Sequence, residues 1–514
     1  MARYGTRRGL RGAVLALTAT GLLLTGCSAG PNQGGASDSA HRDESRQPAP
    51  DGGQYGGERG EDSEESDGSA RDVAPAPDLD STFALDVDTA SYGYARRTLA
   101  DGRLPDPWTV RPEEFVNSFR QDYERPDGDG FTVTVDGART EREDWSLLRV
   151  GLATRAAEGE EERPPAALTF VIDVSGSMSE PGRLDLARES LGVMTDRLRE
   201  NDSVAVVTFS GEAETVLPMT RVGGHRDEIH AAVDGLEPAQ STNLGAGVEE
   251  GYATAVEGLR RGATNRVVLI SDALANTGDT DADTILERVA GAREEYGITL
   301  FGVGVGSDYG DALMERLADR GDGHTTYVSD EEEARQVFSE ELPRNIDLTA
   351  RDAKAQVSFD PSTVEEFRLI GYDNRQVADD DFRDDSVDGG ETGPGHTVTA
   401  LYAVRSAPGA EGHLATATVR WLDPDSRTPH EESGRLETAD LAGSVWTAGP
   451  RFQVTAVAAY FADALRRGAE DWDTLPGAPG FGELAERAQE LAGGAEDGEV
   501  RGLAEAIRRA DRLT

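Results

Sequence analysis

The amino-acid sequence predicts an α/β fold: a doubly wound, Rossmann-like unit set in or beside a β-sandwich-like scaffold, with a C-terminal helical segment. Three observations predict it. Between residues 164 and 345, apolar runs that read as buried strands alternate with amphipathic helical stretches, the pattern of a parallel sheet covered on both faces. From 346 to 440, several segments alternate apolar and polar residues as sandwich strands do. From 441 to 514 the apolar period returns to that of a helix.

Before the α/β unit, residues 28–80 are Gly, Ser, Pro, Asp and Glu with almost no apolar side chains. Such a segment cannot bury a core and is expected to be a disordered acidic linker. Residues 81–163 form a flanking segment of helices and strands. A helix is expected from about Tyr94 to Asp101, and another from Pro112, where proline and two glutamates give helix-start chemistry. Phe131–Val135 and Trp145–Leu152 read as strands. If they join the later β-rich sheet, the α/β unit is an insertion in a β scaffold. Asp86-Val-Asp88 resembles a phosphotransferase motif but fails it, because position 90 is alanine.

Inside the α/β unit, Leu168–Ile172 is a Val/Ile-rich buried strand. Leu184, Ala187, Leu191, Met194 and Leu198 share one helical face. Val204–Phe209 is the next strand, and Leu244, Val248, Tyr252, Ala255 and Leu259 give a second helical stripe. Both stripes are core. Val267–Ile270 is a strand, a helix follows from about 281 to 296, and Ile298–Val305 is a further strand. Helices from about Tyr309 and Asp330 close the unit. The glycines of Gly302–Gly306 lie within a late strand, whereas a dinucleotide-binding loop needs them in the first strand-to-helix turn. In the β-rich region, 355–359, 366–371, 396–403 and 413–421 are strand candidates. The acidic run 379–388 between two of them lacks calcium-loop spacing and reads as an exposed loop. Helices are expected from Phe452, over 484–491 and over 500–513.

Asp173, Ser175 and Ser177 follow the strand 168–172 directly. One carboxylate and two hydroxyls at i, i+2 and i+4 of a tight turn converge as hard oxygen donors, suited to Mg²⁺, Mn²⁺ or Ca²⁺ and poorly to zinc. Downstream, Thr242 sits in a loop that opens a helical pattern, and Asp272 ends the strand at 267–270. In order, spacing and context this set resembles the metal-ion-dependent adhesion site of von Willebrand factor A domains. The resemblance implies direct ligation by Ser175 and Ser177, with Asp173, Thr242 and Asp272 reaching the ion directly or through water. The oxygen set and usual availability favour Mg²⁺ over Mn²⁺ or Ca²⁺, and an acidic side chain of a protein partner is expected to supply the last oxygen.

At the N-terminus, Arg3, Arg7, Arg8 and Arg11 form a basic region, and Ala13–Leu24 is an apolar stretch too short for a membrane span. It ends Leu24-Thr-Gly-Cys27, which resembles the lipobox of bacterial lipoproteins. Residues 1–27 then act as a signal peptide, and Cys27, the only cysteine, carries the lipid that anchors the chain to the cell membrane, facing outside the cytoplasm. Arg7-Arg8 also resembles a twin-arginine export signal. The ordered part, from Ser81 onward, resembles a family of bacterial surface lipoproteins in which an A domain lies between characteristic N- and C-terminal segments. Ser81–Tyr92, Arg111–Asn117, Arg368–Arg375 and Gly395–Tyr402 carry that likeness.

The net charge of −46 excludes a nucleic-acid binder, which needs a basic surface. Catalysis is not expected. Ser177 is not in a nucleophile-elbow context, and the seven histidines are scattered. A metal hydrolase usually offers more acidic or imidazole ligands. A binding protein is the first reading; an envelope protein whose metal only stabilises it is the second.

Overall fold

The computed structural model describes residues 79–514, apart from 86–87, 143, 157–162, 273–280, 306–312, 315–316, 318–323, 329–330, 339–347, 374, 386, 388, 425, 468–473 and 496, and the side chains of 293–294, 331–332 and 336. The signal region, Cys27, nearly all of the acidic linker and the start of the helix expected near Tyr309 lie outside the described residues.

In chain order the flanking segment gives β1 (Asp80–Ala84), α1 (Ala90–Ala100), α2 (Pro112–Asn117), β2 (Phe131–Arg139) and β3 (Trp145–Thr154). The α/β unit follows with β4 (Ala166–Asp173), α3 (Leu184–Arg197), β5 (Ser203–Phe209), β6 (Ala213–Arg221), α4 (Arg226–Asp234) and α5 (Leu244–Glu257). It continues with β7 (Thr264–Ser271), α6 (Ala282–Tyr296), β8 (Thr299–Val305), β9 (Thr325–Val328) and α7 (Glu331–Gln336). Then come β10 (Ala350–Phe359), β11 (Val364–Leu369), β12 (Gln376–Val377), β13 (Gly390–Thr392), β14 (Thr397–Ser406), β15 (His413–Leu422) and β16 (Pro429–Glu437). Three helices end the chain: α8 (Pro450–Arg466), α9 (Phe481–Ala495) and α10 (Gly498–Leu513).

The central sheet runs β6-β5-β4-β7-β8-β9. It is mixed rather than wholly parallel, because β6 pairs antiparallel with β5. β6 was not expected from the sequence: it carries polar residues on an exposed face and a proline, as an edge strand does. β9 escaped notice because four residues carry no readable period. The remaining pairings are parallel. Close approach of α5 to this sheet needs glycine: a Cβ on Gly251 would lie 2.3 Å from Val171 Cγ2, and one on Gly247 2.5 Å from the Phe209 ring. Gly302 plays the same part in β8, where a Cβ would meet Thr325 and Met314 within 3.0 Å. That close packing accounts for the first glycine of 302–306 without any phosphate ligand.

Two antiparallel sheets form the scaffold, β12-β1-β10-β15-β16 with β13 on β10, and β11-β14-β3-β2. β3 therefore joins β14 across the whole α/β unit, with Trp145 opposite Arg405, so that unit is inserted between strands of the sandwich. Leu148, Val150 and Leu152 face the opposing sheet with Tyr402 and Val419. Leu147 points the other way, into a helical layer of α1, α2, α8, α9 and α10. Because both faces of β3 are covered, it is buried along nearly its whole length. β1 and β16 were not anticipated: β1 is short, and β16 reads polar because almost all of it is exposed on an edge. The acidic stretch at 379–388 is held to the surface by buried Phe382 and by Lys354, the only lysine, whose ammonium donates to the Asp384 and Val387 carbonyls.

The α/β unit meets the scaffold through buried charge near the beginnings of its strands. Arg266, early in β7 and 1% exposed, lies 3.3 Å from Glu391, which also faces Arg351 at 3.4 Å. Asp88 accepts from the Thr325 backbone amide at 2.7 Å and faces Arg375 at 3.5 Å. His324 packs in this cluster, its Nδ1 3.9 Å from Asp88 and its ring beside His396. Burial first, then the charges of His396, Arg266 and Arg375, hold its pKa well below the ordinary imidazole value, against one hydrogen bond with the Glu391 backbone. His324 is thus neutral in the fold while the unfolded chain takes up a proton below about pH 6.5. The stability it contributes is present above that pH and is lost as pH falls. Between about pH 7.5 and pH 5.5 the wild type should lose roughly 1.4 kcal/mol more than His324→Asn. Urea unfolding at the two pH values tests this, and equal losses would refute it.

Candidate metal centre

β4 and β7 lie side by side and parallel, with Ile172 opposite Ile270. From β4 the chain moves on to β5 on one side; from β7 it moves to β8 on the other. Their connections therefore part, and a crevice opens beyond the carboxyl ends of the strands. Asp173 is the last residue of β4, and Asp272 follows β7 directly. Both are fully buried.

The turn after β4 is stitched from three sides. The Val174 amide donates to the Phe209 carbonyl at 3.0 Å, and the Val174 carbonyl accepts from the Ala239 amide at 2.5 Å. The Ser175 amide donates to Asp173 Oδ1 at 2.8 Å, and the Ser271 hydroxyl donates to Asp173 Oδ2 at 2.6 Å. These hydrogen bonds fix the orientation of the carboxylate. The Ser175 and Ser177 hydroxyl oxygens are 3.1 Å apart. Ser175 is buried, Ser177 half-buried and Gly176 exposed, so the turn shows one edge to solvent.

Thr242 arrives on the loop that hydrogen-bonds to this turn through Ala239. Ser241 takes a left-handed φ of 71°, the Asn243 amide donates to the Ser210 carbonyl at 2.6 Å, and the Asn243 side chain caps α5 through the Ala246 amide. These contacts fix Thr242, itself buried, one residue before the cap. Asp173, Ser175, Ser177 and Asp272 thus gather at one end of the sheet, and the loop of Thr242 is tied to the same turn.

Two residues of this cluster are not evident from the sequence. Ser271 orients Asp173, and its only signal is its place just before Asp272. Arg183 donates through Nη1 to Asp272 Oδ2 at 2.7 Å and to the Ser177 carbonyl at 3.2 Å, and its Nη2 lies 3.0 Å from Glu180. A cation is not sought among metal ligands. Its one local signal is a misfit: an arginine at a helix N-terminus opposes the helix dipole.

The donor chemistry fits a hard dication. Among the described residues no three His, Cys, Asp or Glu side chains are grouped so as to hold a metal ion by themselves, so hydroxyls would supply part of a shell here, and they suit magnesium better than zinc. Oxygens at ~2.1 Å in octahedral array stand ~3 Å apart, which matches the spacing of the two serine hydroxyls. Burial, with the neighbouring Asp272 charge adding to it, pushes the Asp173 carboxyl up to about 6 against the hydrogen bonds from Ser271 and Ser175. A carboxylate so costly to ionise alone is one that an adjacent dication would hold charged.

Residues 167–340 match the family model described as von Willebrand factor type A domain. Residues 345–512 match the model of the C-terminal part of the uncharacterized protein YfbK, and 64–148 match a model described as von Willebrand factor. The chain is 39% identical over 331 residues to uncharacterized protein YfbK of Escherichia coli (strain K12), covering 62% of this chain and 57% of that protein. It is 28% identical over 204 residues to uncharacterized protein sll0103 of Synechocystis sp., covering 39% of this chain and 47% of that protein. The chain thus spans about half the length of these relatives. The solved von Willebrand factor type A structure from Catenulispora acidiphila aligns with a TM-score of 0.45 at 16% identity, covering 74% of this chain and 89% of that one. The chain therefore carries a von Willebrand factor type A domain, followed by a segment homologous to the C-terminal part of YfbK.

Proposed function

We propose that this protein is a membrane-anchored, extracytoplasmic binding protein that grips an acidic side chain of a protein partner through a divalent cation, most simply Mg²⁺. The observation that carries this reading is the pair of serine hydroxyls 3.1 Å apart, set above two buried carboxylates and beside a solvent-exposed glycine. Ser175 and Ser177 would hold the cation, with Asp173, Thr242 and Asp272 bearing on it directly or through water. When bound, the ion supplies a concentrated positive charge with a position left for an incoming oxygen. The chain's own residues do the rest: the strands fix the two aspartates, and the walls of the crevice lower the local dielectric. Gly176, Ser179 and the exposed loop 237–241 leave room for approach. One carboxylate can then anchor a contact that the overall acidity of this chain would otherwise oppose.

The anchor in this reading is lipid on Cys27, with residues 28–80 as the tether. Among the described residues no helix is long and apolar enough to cross a membrane. Binding is preferred to catalysis because Ser177 does not stand in a nucleophile-elbow context and the seven histidines are scattered along the chain. The test is crosslinking and pull-down from membranes with wild type and Asp173→Ala, with and without chelator. Capture should be lost in the variant and on chelation. Capture unchanged by both treatments would sink the proposal; chelation that lowers the melting temperature yet leaves capture intact would favour the metal as a stabiliser only.

A further inference from the structure

Two buried carboxylates and one buried guanidinium share the floor of this crevice. The Arg183 side chain is 3% exposed and that of Asp272 0%, with 2.7 Å between Nη1 and Oδ2. The arginine does not reach this position by chance packing of a surface chain. Gly182, at φ +85°, turns the backbone. Asp185 Oδ1 then accepts from the amides of Gly182, Arg183 and Leu186, each at 2.9 Å. That clasp starts α3 and sends the Arg183 side chain back beneath the Ser175–Ser177 turn, where it also donates to the Ser177 carbonyl. Asp185 is a favourable acid in the first turn of α3, so the helix start is built to carry an arginine that its dipole would by itself disfavour.

We propose that Arg183 is a resident counter-cation of the adhesion site, which balances Asp272 when no metal is bound and weakens the site's hold on a divalent cation when one is. The inference rests on the metal-site reading above and adds a role for this chain's own arginine. The guanidinium meets Asp272 through a charge-assisted hydrogen bond. Without it, buried Asp272 would lose its guanidinium partner at 2.7 Å, and the metal-free fold would be less stable. With it, the arriving dication meets a positive charge already in contact with one of its carboxylates. Like charges a few ångströms apart in a partly dry site repel strongly. Arg183 thus makes metal binding reversible and dispensable for folding, so that the ion can respond to its supply and to the partner's carboxylate.

Titration of the full chain with magnesium alone, by calorimetry and by melting temperature, tests this in wild type, Arg183→Gln and Arg183→Lys. Arg183→Gln should melt lower without metal, bind magnesium about tenfold more tightly or better, and gain more in melting temperature on saturation. Arg183→Lys, which keeps the charge, should stay near wild type in affinity. If Arg183→Gln does not fold without metal, its recovery on refolding with magnesium supports the proposal, and failure to recover overturns it. Magnesium binding that is equal or weaker in Arg183→Gln overturns the counter-cation role and leaves the metal site standing. Absence of magnesium binding in both wild type and Arg183→Gln overturns the metal site and this role together.

Discussion

Glu391→Ala is expected to destabilise the protein by about 3–5 kcal/mol, the cost of breaking a buried charge pair by removing one partner. Glu391 faces both Arg266 and Arg351 at the junction of β7, β10 and β13, at 3.3 and 3.4 Å. Burial already pulls the pKa of Arg266 down against the attraction of Glu391. Once the carboxylate is gone, a guanidinium out of reach of water is left beside a second arginine. Urea unfolding with a single global probe would show the loss. The paired change Arg266→Met with Glu391→Leu should recover most of it, since apolar packing replaces buried ion pairs well. A Glu391→Ala protein within about 1 kcal/mol of wild type would show that the junction does not depend on this cluster.

Asp173→Ala should leave the metal-free protein close to wild type and remove its stabilisation by magnesium. Two effects oppose each other in the metal-free state. Loss of a fully buried carboxyl relieves its desolvation, while the Ser271 hydroxyl and Ser175 amide lose their acceptor, at about 1–3 kcal/mol for each donor left unsatisfied. With metal the balance is one-sided. At a magnesium concentration 100 times its dissociation constant, wild type should gain about 2.7 kcal/mol, and Asp173→Ala should gain nothing. Melting curves across a magnesium series read the difference directly. A variant whose melting temperature climbs with magnesium as the wild type's does would remove Asp173 from the site.

The part of this fold that was legible in the sequence is the part whose burial is lopsided. β4, β5, β7 and β8 announce themselves because both faces are covered and nearly every position is apolar; α3 and α5 do so because one face is. β6 and β16 were not seen, for their outward faces are polar and their pairing depends on a neighbour, not on their own composition. The wholly parallel sheet expected from alternating strands and helices became mixed through β6 alone. In the candidate site, Asp173, Ser175 and Ser177 stand out in the sequence because they are close in the chain. Thr242 and Asp272 stand out because each lies at an element boundary. Arg183 was hidden because its contact with Asp272 joins residues 89 apart, and nothing local to an arginine at a helix start says which carboxylate it will find.

Insertion of the α/β unit between β3 and β10 imposes an order on folding. Every strand pair of the inserted unit lies within residues 166–328, whereas β1 waits for β10, β3 waits for β14, and Gln121 meets Thr455 across a separation of 334 residues. A chain leaving the ribosome can complete the inserted unit while five of the six strands of one scaffold sheet, and two of the four strands of the other, are still unmade. Once folded, that unit acts as a short rigid link in place of a long floppy one, and reduces the loop entropy that the scaffold must overcome to close. Until β14 emerges, β3 offers an unsatisfied edge, the sort of surface that recruits stray strands. Slow, concentration-sensitive closure of the sandwich around an already native insert is therefore the expected kinetic signature, and truncations after the inserted unit should aggregate even though that unit is itself complete.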